Sequence, residues 1–399
     1  MLKPSALETV EVAVIGGGPA GCATALALTR LGRSVLVLEQ TDYEKTRVGE
    51  ILPPAVRNPL IQLGVWGKFL AEKHLPAAGI QSVWGRDELH ENNFIFNPHG
   101  AGWHLERNRF DAMLAEAAKD AGAGVLREAK GFSLLANGTG DWRVETSNRG
   151  IRRRWRARFV VDATGRASAV AYKQGAVRKS WDHLVAATSF FSPGAPARSA
   201  KHMALVEAVE SGWWYSALLP DGRMVAALMT DADLYAQGRR ASEEYWQEQM
   251  AATRQTKLRL RGWTGLSVPR IFSANTSRLD RMTGDDWLAV GDSAMAFDPL
   301  SSQGVYKAIE SGIHAAKAIH RQLAGDEKAR LDYAQRLEEG FTRYLAARNY
   351  FYRREHRWTD SPFWARRISR GIVRARVWRA IADGHPAATQ ISPASVGGG

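Results

Sequence analysis

A glycine turn between a strand-like run and a helix-like run constrains this chain more than any other feature. The β-rich run Val10 to Ile15 ends in Gly16-Gly17-Gly18-Pro19-Ala20-Gly21, and a helix-compatible run follows from Ala20 to Leu31. In that context Gly16 permits the tight turn, Gly18 lets the backbone approach a pyrophosphate, and Gly21 lets helix and strand pack closely. The new helix start, with Pro19 and Ala20 in its first turn, offers free N–H groups and a positive dipole end to phosphate. A second strand, Ser34 to Leu38, leads to Glu39 and Gln40. An acid about 20 residues past the glycines is placed to bind a ribose 2′-OH. A glycine-rich helix start with no ligand would not require Glu39.

A second turn lies far along the chain. Trp287 to Val290 reads as a strand that delivers Gly291-Asp292-Ser293-Ala294, followed by Asp298-Pro299 and Ser301-Ser302-Gln303-Gly304. The Asp292 carboxylate is suited to accept hydrogen bonds from a ribityl chain. A helix starting near Gln303 and Gly304 would aim its amides at the N1–C2=O edge of a flavin, where negative charge collects on reduction. Pro299 and Ser302 would shape the loop against the ring. Read together, the two turns imply one FAD wrapped across most of the chain, and hence a redox enzyme. Two further segments fit between them. Arg107 opens an amphipathic helix, where it could reach the phosphates or ribose, and Val160-Val161-Asp162-Ala163-Thr164-Gly165 is a strand-end turn that would lie near the nucleotide.

The 399 residues are long for one core, which predicts two joined domains. The expected fold class is α/β. A Rossmann-like FAD-binding domain would use residues 9–70, 105–171 and 279–324, interleaved with a β-sheet substrate domain at 74–104 and 177–278. A helical basic region at 325–384, with Leu331, Leu337, Phe341 and Leu345 as its apolar face, and a disordered tail at 385–399 complete the expectation. No run approaches about 18 uncharged apolar residues. Cys22 is the single cysteine, which excludes internal disulfides and a cysteine metal site, and no metal is expected. The first residues lack a charged-then-apolar layout, so a cytoplasmic location is expected.

The formal charge is +13 and it is clustered. Arg149, Arg152, Arg153, Arg154, Arg156 and Arg158 form one group. The C-terminal region forms another, from Arg343 to Arg379, with aromatics interleaved. Such a field would attract an acidic protein or peptide, with an anionic membrane surface second and nucleic acid not favoured. The plainer reading is a solvated basic face whose aromatics pack inward.

In order and approximate spacing, the glycine turn, Arg107, Asp162 to Gly165 and Gly291-Asp292 resemble the motifs of the FAD-dependent aromatic hydroxylase superfamily, the flavin monooxygenases related to p-hydroxybenzoate hydroxylase. Val48-Gly49-Glu50 with Leu52-Pro53-Pro54, and Trp103-His104-Leu105, resemble its tryptophan-halogenase-like side, and Arg47 and Gly49 belong to that flavin-side loop. Two departures disfavour halogenation: Gly212-Trp213-Trp214-Tyr215-Ser216 does not match the halogenase Trp-x-Trp-x-Ile-Pro signature, and the strand Gly79 to Gly85 has no lysine. The loop and the Trp-Trp-Tyr strand are similar to the branch that hydroxylates a protein-bound tryptophan during biogenesis of quinone cofactors. The resemblance implies hydroxylation of an electron-rich ring through a flavin C4a-hydroperoxide, using O2 and NAD(P)H or reduced flavin. Candidates to face the substrate are Trp84, His202, Trp213, Trp214 and Tyr215, with Glu50 positioning the flavin or relaying a proton. Core packing is the competing role for the aromatics, and pairing with Arg47 is the competing role for Glu50. A small aromatic metabolite is the alternative substrate. An isoprenoid reductase at a membrane surface is the alternative activity. A purely electrostatic binding module is the non-enzymatic alternative.

Overall fold

A computed structural model of the chain describes residues 8–136, 141–194, 202–237 and 243–368. One seven-stranded sheet carries the glycine turn. Its order is Gly124–Leu126, Val35–Leu38, Glu8–Ile15, Ile151–Asp162, Trp142–Asn148, Ala129–Ala136, with Trp287–Ala289 also pairing Ile151–Asp162. The central pairings are parallel: Ile15 aligns with Leu38 on one side and Asp162 on the other, and Asp162 aligns with Ala289. These strand ends are continuous apolar runs because both faces are covered, and Val12–Ile15 are buried without alternation. The four strands that lead to the glycine turn, Glu39, the turn after Asp162 and Gly291-Asp292 therefore finish at one end of one sheet.

The helix Pro19–Arg30 packs along the helix Gly304–Leu323. Small residues allow the approach. A Cβ on Gly312 would lie 2.5 Å from the Ala20 carbonyl oxygen and 3.0 Å from the Ala23 Cβ.

An eight-stranded sheet forms the second layer. Its order is Trp263–Gly265, Leu184–Pro193, Met224–Asp231, Gly212–Leu218, Met203–Val209, Gly79–Val83, His90–Asn93, with Arg270–Ser273 also pairing Leu184–Pro193. Alternation divides its residues between two faces. Trp213 and Tyr215 join a cluster that includes Leu300 of the loop before the long helix. Trp214 faces the opposite way, against Trp246 and Tyr235. A three-stranded sheet of Ile51–Leu52, Gly102–His104 and Leu75–Ala77 links the layers. Gly102–His104 is its central strand, pairing with Ile51–Leu52 on one side and Leu75–Ala77 on the other.

The helix Ala329–Arg353 was expected to bury Leu331, but Leu331 is 55% exposed. Its buried stripe is Tyr333, Leu337, Phe341, Tyr344, Arg348 and Tyr352, with spacings of three and four. Beyond it, Phe363 and Trp364 pack with Tyr352, Trp84 and Trp213 on the large sheet. The basic residues here are largely paired: Arg348 with Asp182 and Asp298, Arg357 with Glu355 and Asp87, Arg366 and Arg367 with Asp231. Arg154 and Arg156 of the other cluster pair with Glu145 and Asp141. The expectations for residues 369–384 and for the tail fall outside the described residues.

Candidate functional site

The first turn has the shape of a phosphate cradle. Gly16 has φ +110°, and a Cβ there would lie 2.2 Å from the Ala163 carbonyl oxygen. A Cβ on Gly21 would lie 2.0 Å from the Gly16 oxygen. Gly18 differs, since its Cβ direction meets nothing within 4 Å and it begins the helix Pro19–Arg30 without a side-chain cap. The uncapped amides therefore border open space, the arrangement that binds an anion. The Gly17 N–H donates to Glu39 Oε2 at 2.7 Å, and Glu39 Oε1 accepts from the Thr41 amide (2.9 Å) and hydroxyl (2.6 Å). Gln40 is exposed beside it.

The second turn touches the first. Gly291 has φ +55°, and a Cβ there would meet the Ala20 Cβ at 2.7 Å. The side chain of Asp292 is 39% exposed, with the Arg166 guanidinium at 3.6 Å. Asp298 accepts from the Leu300 amide at 2.9 Å and fixes the turn Pro299–Ser301. Ser302 has φ +50°, and Gln303 begins the helix Gly304–Leu323 without a side-chain cap. The Cβ direction of Gly304 is also open. Two uncapped helix starts therefore lie side by side, with a carboxylate between them available to hydroxyl donors. A dinucleotide with a ribityl chain fits this donor and acceptor set: amides for its phosphates, Asp292 for its hydroxyls, the long helix for its ring.

Other predicted cofactor residues serve the turns indirectly. Asp162 is buried, and its oxygens accept from the Thr164 amide and hydroxyl and the Val170 and Ala171 amides. Four protein donors use up its capacity, so what it presents to the site is the turn to Gly165, itself at φ +67°. Arg107 donates to the Val48 and Gly49 carbonyls at 2.8 and 3.2 Å and to Asp111 at 3.2 Å. Gly49, at φ +98°, leaves room for that guanidinium. Arg47 pairs with Asp111 (3.1 Å) and Glu39 (3.4 Å), not with Glu50. Burial raises the Asp111 carboxyl pKa, and Arg107 and Arg47 oppose the rise.

The candidates for the substrate side separate. Glu50 is 5% exposed, its Oε1 has no hydrogen-bond partner, and burial raises its pKa against the pull of Arg107. The Tyr215 hydroxyl is likewise buried and unpartnered, and burial, with Glu50 nearby, lifts its pKa well above the usual phenol range. Trp84 donates to the Phe351 carbonyl (2.8 Å) and Trp213 to the Tyr352 hydroxyl (3.1 Å), so both indoles serve the core that holds the C-terminal segment. Trp214 packs its ring 4.9 Å from Trp246 on the face away from the turns, because strand alternation sends it opposite to Tyr215. His202 is exposed at a bend, and its carbonyl accepts from the Ala78 amide.

Sequence reasoning passed over several groups. Arg178 donates to the Asp292 and Ser293 carbonyls at 2.8 and 2.7 Å. Arg348 and the hydroxyls of Tyr344 and Tyr352 hold Asp298, at 3.2, 2.7 and 2.7 Å. Only the alternation of Arg with Tyr along the last long helix hinted at the second set. A cleft of about 420 Å³ lined by His314, Lys317 and Arg336 lies at the other end of the Gly304–Leu323 helix, away from both turns.

Fold and site define an FAD-dependent oxidoreductase of the monooxygenase and halogenase type. The chain belongs to the FAD-binding domain family, which it matches over residues 9–338. It is 29% identical over 370 residues to the FAD-dependent oxidoreductase LodB of Marinomonas mediterranea, covering 90% of this chain and 97% of that one. Flavin-dependent halogenases are also among the sequence relatives. The solved myxobacterial chondrochloren halogenase CndH superposes with a TM-score of 0.83 at 24% identity, over 94% of this chain and 89% of the other. The peptidyl tryptophan dihydroxylase QhpG, described as essential for tryptophylquinone cofactor biogenesis, gives 0.74 at 27% identity, over 90% and 78%. Among the described residues no helix is long and apolar enough to cross a membrane.

Proposed function

We propose that the enzyme hydroxylates an electron-rich aromatic ring, and that the ring is a tryptophan side chain in a partner protein. The observation that carries this reading is the pair of buried, unpartnered polar groups at Glu50 and Tyr215. Tyr215 clusters with Leu300 of the loop before the helix Gly304–Leu323, and Glu50 is close enough to Tyr215 to raise its pKa. Bound FAD supplies the activation of O2: one oxygen atom enters the ring, the other leaves as water, and the two electrons come from NAD(P)H or reduced flavin.

The protein's part is to hold the ring dry and aligned. Glu50 offers an acceptor to an indole N–H, and its elevated pKa suits it to take up the ring proton released when the C–O bond forms. Tyr215 stays neutral and offers a donor. The similarity to QhpG supports a protein substrate, and a small aromatic metabolite is the competing one. The expected domain boundaries and flavin contacts, with Asp292 and the two helix starts foremost, belong to the same proposal.

Halogenation is the second reading, favoured by the halogenase relatives. The strand Gly79–Val83 carries no lysine, the catalytic residue that the resemblance to halogenases would place there. The test is to reduce the FAD-loaded protein, supply a tryptophan-containing protein or free tryptophan, admit O2 with chloride and bromide present, and read product masses. A gain of one or two oxygens supports hydroxylation. A halogen increment replaces it with halogenation, and saturation of a polyene added in a parallel reaction, without oxygenated product, would favour a reductase.

A further inference from the structure

We propose that the outer edge of the eight-stranded sheet, built by Trp263–Gly265 and Arg270–Ser273, is where an acidic, extended polypeptide docks to present its aromatic residue. This inference rests on the protein-substrate reading above and gives it a location.

The stretch 249–279 contains no Asp or Glu but holds Arg254, Lys257, Arg259, Arg261, Arg270 and Arg278. Arg259 turns inward to the Met203 carbonyl, and Arg278 pairs with Glu338. Arg254, Lys257, Arg261 and Arg270 are exposed, and none has an ion-pair partner among the described residues. Arg152, Arg153 and Arg158 are also exposed without an ion-pair partner among the described residues, but here the cations lie along 31 consecutive residues that carry no acid at all. Apolar side chains stand among these cations: Leu258, Leu266, Val268 and Ile271 are 55, 52, 62 and 52% exposed. Basic and apolar groups together match an acidic chain with interspersed apolar residues.

The backbone adds a second reason. Both strands pair only with Leu184–Pro193 among the described residues, so apart from the Trp263 N–H, which donates to the Leu260 carbonyl, their outer edges have no strand partner. An open edge is a template for one more strand, and it recognises polypeptide rather than lipid or a small arene. A second copy of this chain is a poor occupant, because two cationic patches repel.

The edge leads to the site. Arg270 aligns with Thr188 and Phe272 with Ala186. Phe190, on the same face of that strand, clusters with Ile51 and Tyr215. Two residues past Ser273, Asn275 accepts from Arg166 at 2.7 Å through both its carbonyl and its side-chain oxygen, and Arg166 faces Asp292. A strand laid on this edge therefore runs from solvent toward the second flavin turn.

The test uses the full-length FAD-loaded protein and a fluorescein-labelled synthetic peptide alternating Glu and Val around one Trp. Controls are the same peptide with Lys for Glu, and phosphatidylserine vesicles. The double variant Arg261→Glu/Arg270→Glu should weaken the acidic peptide by roughly tenfold or more and flatten its salt dependence. The flavin spectrum and the reoxidation of chemically reduced flavin should not change. Val268→Asp, on an exposed side chain, should weaken binding too, and it carries the test if the double variant loses stability. Unchanged affinity in both variants, equal binding of the Lys peptide, or vesicle binding lost in the same variants would overturn the proposal. Binding is read without turnover. A peptide that docks at this edge but gains no oxygen refutes the hydroxylase reading alone, and a peptide oxygenated equally by all variants refutes the docking site alone.

Discussion

Replacing Gly312 by alanine tests whether the two helix starts act as one unit. The added Cβ would sit 2.5 Å from the Ala20 carbonyl oxygen, against 3.4 Å or more for ordinary contact. The neighbours there are the Ala20 and Thr24 backbone and the Ala23 Cβ, none of which can swing away. The helices must therefore part by nearly an ångström. Overpacking of this kind costs roughly 1–3 kcal/mol, and the gain in helix propensity, somewhat under 1 kcal/mol, offsets only part of it. The displacement acts next to Ala20 in the first turn of the helix proposed to face the phosphates, so FAD affinity should fall with stability, by roughly tenfold. Gly340→Ala is the matched control: it is in the helix Ala329–Arg353, its Cβ direction meets nothing within 4 Å, and it should stabilise by about 0.5–1 kcal/mol. Thermal unfolding and flavin-fluorescence titration read both quantities. A Gly312→Ala protein with wild-type melting temperature and FAD affinity would refute the reasoning.

Gly18→Val should leave the apoprotein's melting temperature nearly unchanged, since the side chain enters open space, yet abolish FAD retention on gel filtration. Arg348→Met leaves Asp182 and Asp298 buried without their cation and should cost about 3–5 kcal/mol in denaturant unfolding, with loss of flavin from the loosened loop. His104 is fully buried, with its pKa lowered to about 4 by burial, so the folded state resists a proton that the unfolded chain accepts near 6.5. Stability should then fall by up to about 3 kcal/mol as pH drops from 6.5 to 4, and His104→Gln should flatten that slope in urea titrations at several pH values.

The two turns were legible in the sequence because the reasons for them are local. Gly16 needs a positive φ, Gly21 needs a close backbone, and strand-turn-helix order follows from short-range pattern. Glu39 and Asp292 could be found by their spacing from those glycines. The roles of the remaining groups depend on partners distant in the chain. Asp162 was readable as a turn residue, but only the fold shows its oxygens used by Val170 and Ala171. Trp213, Trp214 and Tyr215 look alike as a string, and the sheet's alternation sends Trp214 to the far side. The C-terminal arginines read as a free positive field, whereas packing matches Arg348, Arg357 and Arg367 to acids contributed largely by other elements. Sequence alone thus determined the two glycine turns, where backbone conformation selects the residue type. Tertiary structure decided which charges remain uncompensated and which polar groups lie buried without a partner, because pairing and desolvation depend on what the fold brings alongside.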